Sequence, residues 1–176
     1  MITKDNNLKV MELFFKYPYR TFHIREIARL TKLSSTGVIK IIKRLKEEKL
    51  LVSYKTRLTE EVKPDFEGNF LIVKRLYNIY SLNDNLLIDY LKKYYEHPKA
   101  IILFGSYSNG TDSEQSDIDI AIIGSLKDKM PDLSKFEDKL ARKINIHIIY
   151  LDRTTKEFKN SLANGIIMEG FVELIT

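Results

Sequence analysis

Cysteine is absent, which excludes disulfides and thiolate metal sites. No apolar run approaches the length that spans a membrane. The first residues, Met1 to Asn6, lack the apolar core of a signal peptide, so the expected location is the cytoplasm. Acidic residues are missing between Ile144 and Leu151, an absence that matters below. What remains is ample for a folded protein: 176 residues, 44% of them hydrophobic, suit one domain or two small ones. The net charge of +5 is unevenly spread. Residues 1–63 carry 15 Lys and Arg against 7 Asp and Glu, a net of +8, whereas residues 64–176 carry 14 against 17, a net of −3. Two modules with different partners are implied, the first suited to a polyanion.

The most informative stretch lies in the second part. Residues 100–104 form an apolar run, Gly105-Ser106 a turn, and 107–116 a polar segment; 117–123 is a second apolar run that carries Asp117 and Asp119. In a strand these two acids share a face, roughly 7 Å apart. Paired acids on a largely buried strand need a cation between them, and Mg²⁺, which prefers oxygen ligands, suits the pair. Gly105 lets a phosphate approach the backbone, and the Ser106 hydroxyl can donate to it.

Gly105, Ser106, Gly110, Ser116, Asp117 and Asp119 resemble the Gly-Ser, ten residues, Asp-x-Asp pattern of the nucleotidyltransferase superfamily of DNA polymerase beta, in particular its minimal members. The resemblance implies transfer of a nucleoside monophosphate from an NTP to a hydroxyl, with release of pyrophosphate. It makes Asp117 and Asp119 the metal ligands, for Mg²⁺ or alternatively Mn²⁺, and Gly105, Ser106, Gly110 and Ser116 the nucleotide-binding residues. Some members act as antitoxins that add nucleotides to a partner toxin, so a protein acceptor is one expected partner. The family's neighbouring strand carries a third acid; here, at 144–151, Asn145 or His147 takes its region. His147 is thus a catalytic candidate, as metal ligand or general base, with a plain hydrogen-bonded strand residue as the alternative. Asn145 can ligate but cannot act as a base, and Asp152 reads as a helix cap. With that acid missing, three outcomes are open: a slow enzyme, a nucleotide binder, or a domain kept for regulation.

The basic first part reads as three helices, at 6–16, 23–31 and, capped by Ser34 or Ser35, to about 48. A hairpin follows, at 50–57 and near 61–63. Ile24-Arg25-Glu26-Ile27-Ala28, Leu33-Ser34, Val38 and residues 45–51 are similar to winged helix-turn-helix regulators. That likeness implies a third helix in the major groove of double-stranded DNA. Ser35, Thr36 and Lys40 would lie near base edges, and Lys43, Arg44, Lys55 and Arg57 near phosphates. A homodimer follows if two half-sites are read. The alternative is that these helices hold a protein partner. Lys49 stands where the family usually has Gly, and a left-handed turn there would put modest strain on it.

The expected fold is therefore α+β. A winged helix-turn-helix domain at 1–64 is followed by connecting helices at 65–97 and a small α/β nucleotidyltransferase domain with a mixed sheet at 98–176. Residues 64–69 read as a linker, helices are expected at 70–80 and 85–96, and 81–84 as the break between them. The Tyr90, Tyr94 and Tyr95 cluster reads as packing. The loop at 125–133 is long enough to border a substrate site, a helix runs from Ser134 to about 143, and the tail gives a helix, then a helix or strand. The competing function is a non-enzymatic DNA-binding regulator whose degenerate transferase domain senses a nucleotide.

Overall fold

The computed structural model describes residues 5–55, 60–125, 127 and 129–173. The chain divides into two compact units, Met1–Lys74 and Arg75–Thr176.

In the first unit, Asp5 starts α1 (Asn6–Lys16) by accepting from the Leu8 amide at 2.8 Å, and that bond holds the Asp5 carboxyl below its usual pKa. His23, read from sequence as the helix start, instead belongs with Phe22 to β1 (Phe22–His23), and α2 (Ile24–Thr31) begins one residue later. The reason is pairing: Phe22 lies opposite Val62 and is fully buried, with its ring edge-on to Phe14. Ser34 accepts from the Gly37 amide at 3.1 Å and opens α3 (Ser35–Glu47), whose Val38, Ile42 and Leu45 face the core. Next come β2 (Leu51–Lys55) and β3 (Glu60–Pro64), paired antiparallel in a three-stranded sheet of order β1-β3-β2. Lys49 adopts a φ of 56°, the left-handed turn foreseen for it. The stretch 64–69 is fastened rather than free, since the Asp65 amide donates to Leu50 and the Asn69 amide to Lys49.

The division between the units falls within α4 (Phe70–Asp84). The expected break at 81–84 does not occur. Leu82 is fully buried, and the polar side chains bond to carbonyls of their own helix: Ser81 to Asn78, Asn83 to Ile79. The turn comes at Leu86, with a φ of 61°, before α5 (Leu87–Tyr94). Then follow β4 (Ala100–Phe104), the short α6 (Gly105–Asn109), β5 (Ile118–Ile123), α7 (Ser134–Leu140), β6 (Ile144–Ile149), a 3₁₀ turn (Leu151–Arg153), α8 (Lys156–Ala163) and β7 (Ile166–Gly170). Helix α7 stops three residues short of expectation because Ala141 turns left-handed, at a φ of 51°. Asp132, not Ser134, accepts at its start, from the Ser134 amide and hydroxyl, and these bonds lower the Asp132 pKa. Asp152 caps nothing; the cap of α8 is Thr155, which accepts from Phe158.

The second sheet has order β6-β5-β4-β7 and is mixed: β4 is antiparallel to both β5 and β7, and β5 is parallel to β6. The parallel pair is joined through α7, the crossover that such a pair requires. Period-two alternation sorts the side chains. Ile101, Leu103, Ile118, Ile120, Ile122, Ile144, Ile146 and Ile148 join Leu82, Leu87, Leu91 and Phe136 in one core. Ala100, Ile102, Phe104, Ala121 and Ile123 pack with Leu162 and Phe158 of α8 on the other face. Residues 82–95 thus help to build this core. The loop at 125–133 follows Ile123, at the end of β5 remote from Asp117. Of its described residues, Met130 and Asp132 are held to α5, with the Tyr94 hydroxyl donating to the Met130 carbonyl and the Tyr90 hydroxyl to the Asp132 carbonyl.

Candidate active site

The acids stand on the α8 face of the second sheet, where β5 begins. Antiparallel pairing sets Phe104, the last residue of β4, opposite Asp119. The chain then turns through Gly105, at a φ of +74°. A Cβ on Gly105 would lie 2.8 Å from Asp119 Oδ2, so glycine is needed both for the turn and for the approach of the carboxylate. Ser106 is half-buried, and its carbonyl accepts from the Thr111 amide. Gly110, at a φ of +75°, closes α6. Ser116 accepts from the Ser113 amide at 2.9 Å and so shapes the loop that leads to Asp117.

Parallel pairing sets Asn145 of β6 beside Asp119. The Asn145 Nδ2 donates to Asp117 Oδ2 and to Asp119 Oδ1, each at 3.2 Å. Two residues on, the His147 ring meets Phe104 edge-on at 5.2 Å and lies 6.0 Å from Phe158. Its Nε2 is buried and makes no hydrogen bond, although it stands within ion-pair range of Asp119 Oδ1, at 3.5 Å. Both Asp117 and Asp119 are only half-buried, which keeps their oxygens open to a ligand.

Asn145 Nδ2 marks a point from which an oxygen of each aspartate is within 3.2 Å. A hard cation fits such a pair of carboxylates, completed by the Asn145 amide oxygen or by oxygens of a substrate. Among the described residues no three His, Asp or Glu side chains converge on one ion. Among the described residues, two acids are what the site offers a cation.

A buried polar network behind the loop carries no sequence signal, because each member lies in an ordinary polar stretch. Asp112 and Arg142 are buried and face each other at 3.5 Å. Asn78 donates to Asp112 at 2.8 Å and to the Tyr107 carbonyl at 2.9 Å, while Arg142 donates to the Glu114 carbonyl at 2.8 Å. The Tyr107 hydroxyl meets Ser81 at 3.0 Å. Burial pushes the Tyr107 phenol up to about 12, against the opposing effect of that hydrogen bond. These contacts pin both ends of the segment between Gly105 and Asp117.

In the first unit, Ser35, Thr36, Lys40, Lys43 and Arg44 are exposed along α3, and Lys55 is exposed at the end of β2. Arg57 lies outside the described residues. Arg44 pairs with Glu48 at 2.8 Å, a bond that raises the guanidinium pKa. An open groove of about 700 Å³ brings Arg25 and Arg29 of α2 to Ser35, two cations that the sequence reading passed over.

Residues 85–170, which include this second sheet and its acids, match the family model described as Polymerase beta, Nucleotidyltransferase. Over 73 residues the chain is 36% identical to the protein adenylyltransferase MntA of Shewanella oneidensis strain MR-1. That match covers 40% of this chain and 51% of MntA, so the chain spans about half the length of this curated relative. Similarity also extends to a solved structure described as a toxin-antitoxin with AMP-PNP, at 25% identity over 55% of this chain and 73% of that one, with a TM-score of 0.32. Among the described residues no helix is long and apolar enough to cross a membrane.

Proposed function

We propose that the second unit transfers a nucleoside monophosphate from an NTP to a hydroxyl on a protein acceptor. The observation that carries this reading is the convergence of Asp117 and Asp119 on one point beside Gly105, within the residues that match this family model. The protein acceptor is supported by the relative named as a protein adenylyltransferase. Asp117 and Asp119 would hold Mg²⁺ or Mn²⁺, and the bound ion would supply positive charge to offset the negative charge developing on the phosphates. Gly105, Ser106 and Gly110 shape the backbone that receives the triphosphate, and Ser116 holds the following loop in place. The acceptor oxygen bonds to the α-phosphorus, the bond to the pyrophosphate oxygen breaks so that pyrophosphate leaves, and the hydroxyl proton passes to solvent water. Asn145 cannot take that proton. His147, flanked by Phe104 and Phe158, backs Asp119 and is suited to positioning it.

The first unit, in the same proposal, is a winged helix-turn-helix that binds double-stranded DNA. Support comes from the net charge of +8 over residues 1–63 and from the exposed row of Lys40, Lys43 and Arg44 on α3. The second reading, a regulator without turnover, is favoured by the lack, among the described residues, of a third acid beside Asp117 and Asp119.

Incubation with labelled ATP, GTP, CTP or UTP, Mg²⁺ or Mn²⁺, and candidate acceptor proteins separates the two. The transferase reading expects label on the acceptor, reduced at least ~100-fold in Asp117→Ala and in Asp119→Ala. Nucleotide binding without transfer, alongside salt-sensitive DNA binding weakened by Lys43→Ala, would establish the regulator instead.

A further inference from the structure

Two neighbouring carboxylates repel unless positive charge lies between them. Among the described residues no lysine or arginine forms an ion pair with Asp117 or Asp119. The group between them is the Asn145 amide, whose nitrogen lies 3.2 Å from an oxygen of each. A side-chain amide has two N–H bonds, enough to supply one donor to each acid. Strand register fixes this arrangement, because Asn145 is paired directly with Asp119.

We propose that Asn145 is a built-in stand-in for the cation: its amide holds the two aspartates together while no ion is bound. This rests on the transferase reading of the same site. An ion entering the pair must displace the amide nitrogen. The site then offers an ion two negative charges rather than three, and ligand charge count is a main determinant of affinity for hard cations. The missing charge comes from phosphate oxygens. Cation and triphosphate therefore load together, each raising the affinity of the other by the same factor. Asn145 is in this sense a positioning residue that makes the metal site conditional on the nucleotide.

The test uses the full chain, with Mn²⁺ as the probe and a non-hydrolysable ATP analogue as the second ligand. Thermal melting and the electron paramagnetic resonance of free Mn²⁺ are the readouts. In chelator, Asn145→Asp should melt below the native chain, because three acids then adjoin, and Mn²⁺ alone should restore it. Its Mn²⁺ affinity should exceed that of the native chain roughly ten-fold or more. The analogue should tighten Mn²⁺ binding more in the native chain than in Asn145→Asp. Asn145→Ala, which adds no charge, should melt lower than native in chelator and bind Mn²⁺ no more weakly. Equal Mn²⁺ affinity in the native chain and Asn145→Asp overturns the inference, as does weaker binding by Asn145→Ala, which would make Asn145 an ordinary ligand. Either result, with label still transferred by the native chain, leaves the transferase reading standing. Mn²⁺ bound by no variant, with no transfer of label, removes both.

Discussion

Gly105 is the residue where local backbone and chemistry constrain each other most tightly. Alanine there must hold a φ of +74° and place its Cβ 2.8 Å from Asp119 Oδ2. The left-handed backbone alone costs about 1–2 kcal/mol. Gly105→Ala should therefore lower stability in urea by about that amount and, by moving Asp119, abolish label transfer while the fold survives. Lys49 presents the opposite case. Its side chain is exposed, its φ is 56°, and its carbonyl accepts from Asn69 through the backbone alone. Lys49→Gly keeps those bonds and relieves the strain, so urea unfolding should show the first unit stabilised by about 1 kcal/mol.

Among the elements, the segment between α6 and β5 depends on a side chain from just beyond α7. Arg142 is almost fully buried against Asp112 and also holds the Glu114 carbonyl. Arg142→Ala leaves the Asp112 carboxylate buried without its cation, a change that costs about 3–5 kcal/mol. Urea unfolding should show that loss, and Arg142→Met paired with Asp112→Asn should recover part of it, since no buried charge then remains. None of this network could be read from sequence, because long-range polar pairing leaves no periodicity. Strands β4, β5 and β6 were legible, since short apolar runs, with polar residues at alternate positions in β5 and β6, admit few other arrangements. The left-handed turn at Lys49 was legible too. The short β1 was not, because two residues show no period, and the extension of α4 through Ser81 to Asp84 was hidden by side chains that look like breakers but bond to their own helix. The pairing of Asn145 with both acids depends on strand register, which alternation alone leaves open by two residues.

At the scale of the whole molecule, alkaline pH acts on the second unit through its buried phenols. Burial raises Tyr95 and Tyr107 to about 12, whereas an unfolded chain ionises its tyrosines near 10. A raised folded pKa gives stability that is complete below pH 10 and is lost as pH climbs toward 12. Each group contributes on the order of 2 kcal/mol, so urea midpoints for this unit should hold steady to about pH 10 and then fall. Tyr107→Phe should flatten that fall. The same unit has a further property, which follows from the place of β7. The strand that opens the sheet, β4, lies between β5 and a segment more than sixty positions downstream, so Ala100 to Phe104 have both neighbours only after Gly170 has emerged during synthesis. Until then, five apolar residues present an open hydrogen-bonding edge to any other nascent chain. The interval between the translation of β5 and of β7 is therefore when this protein most needs a chaperone.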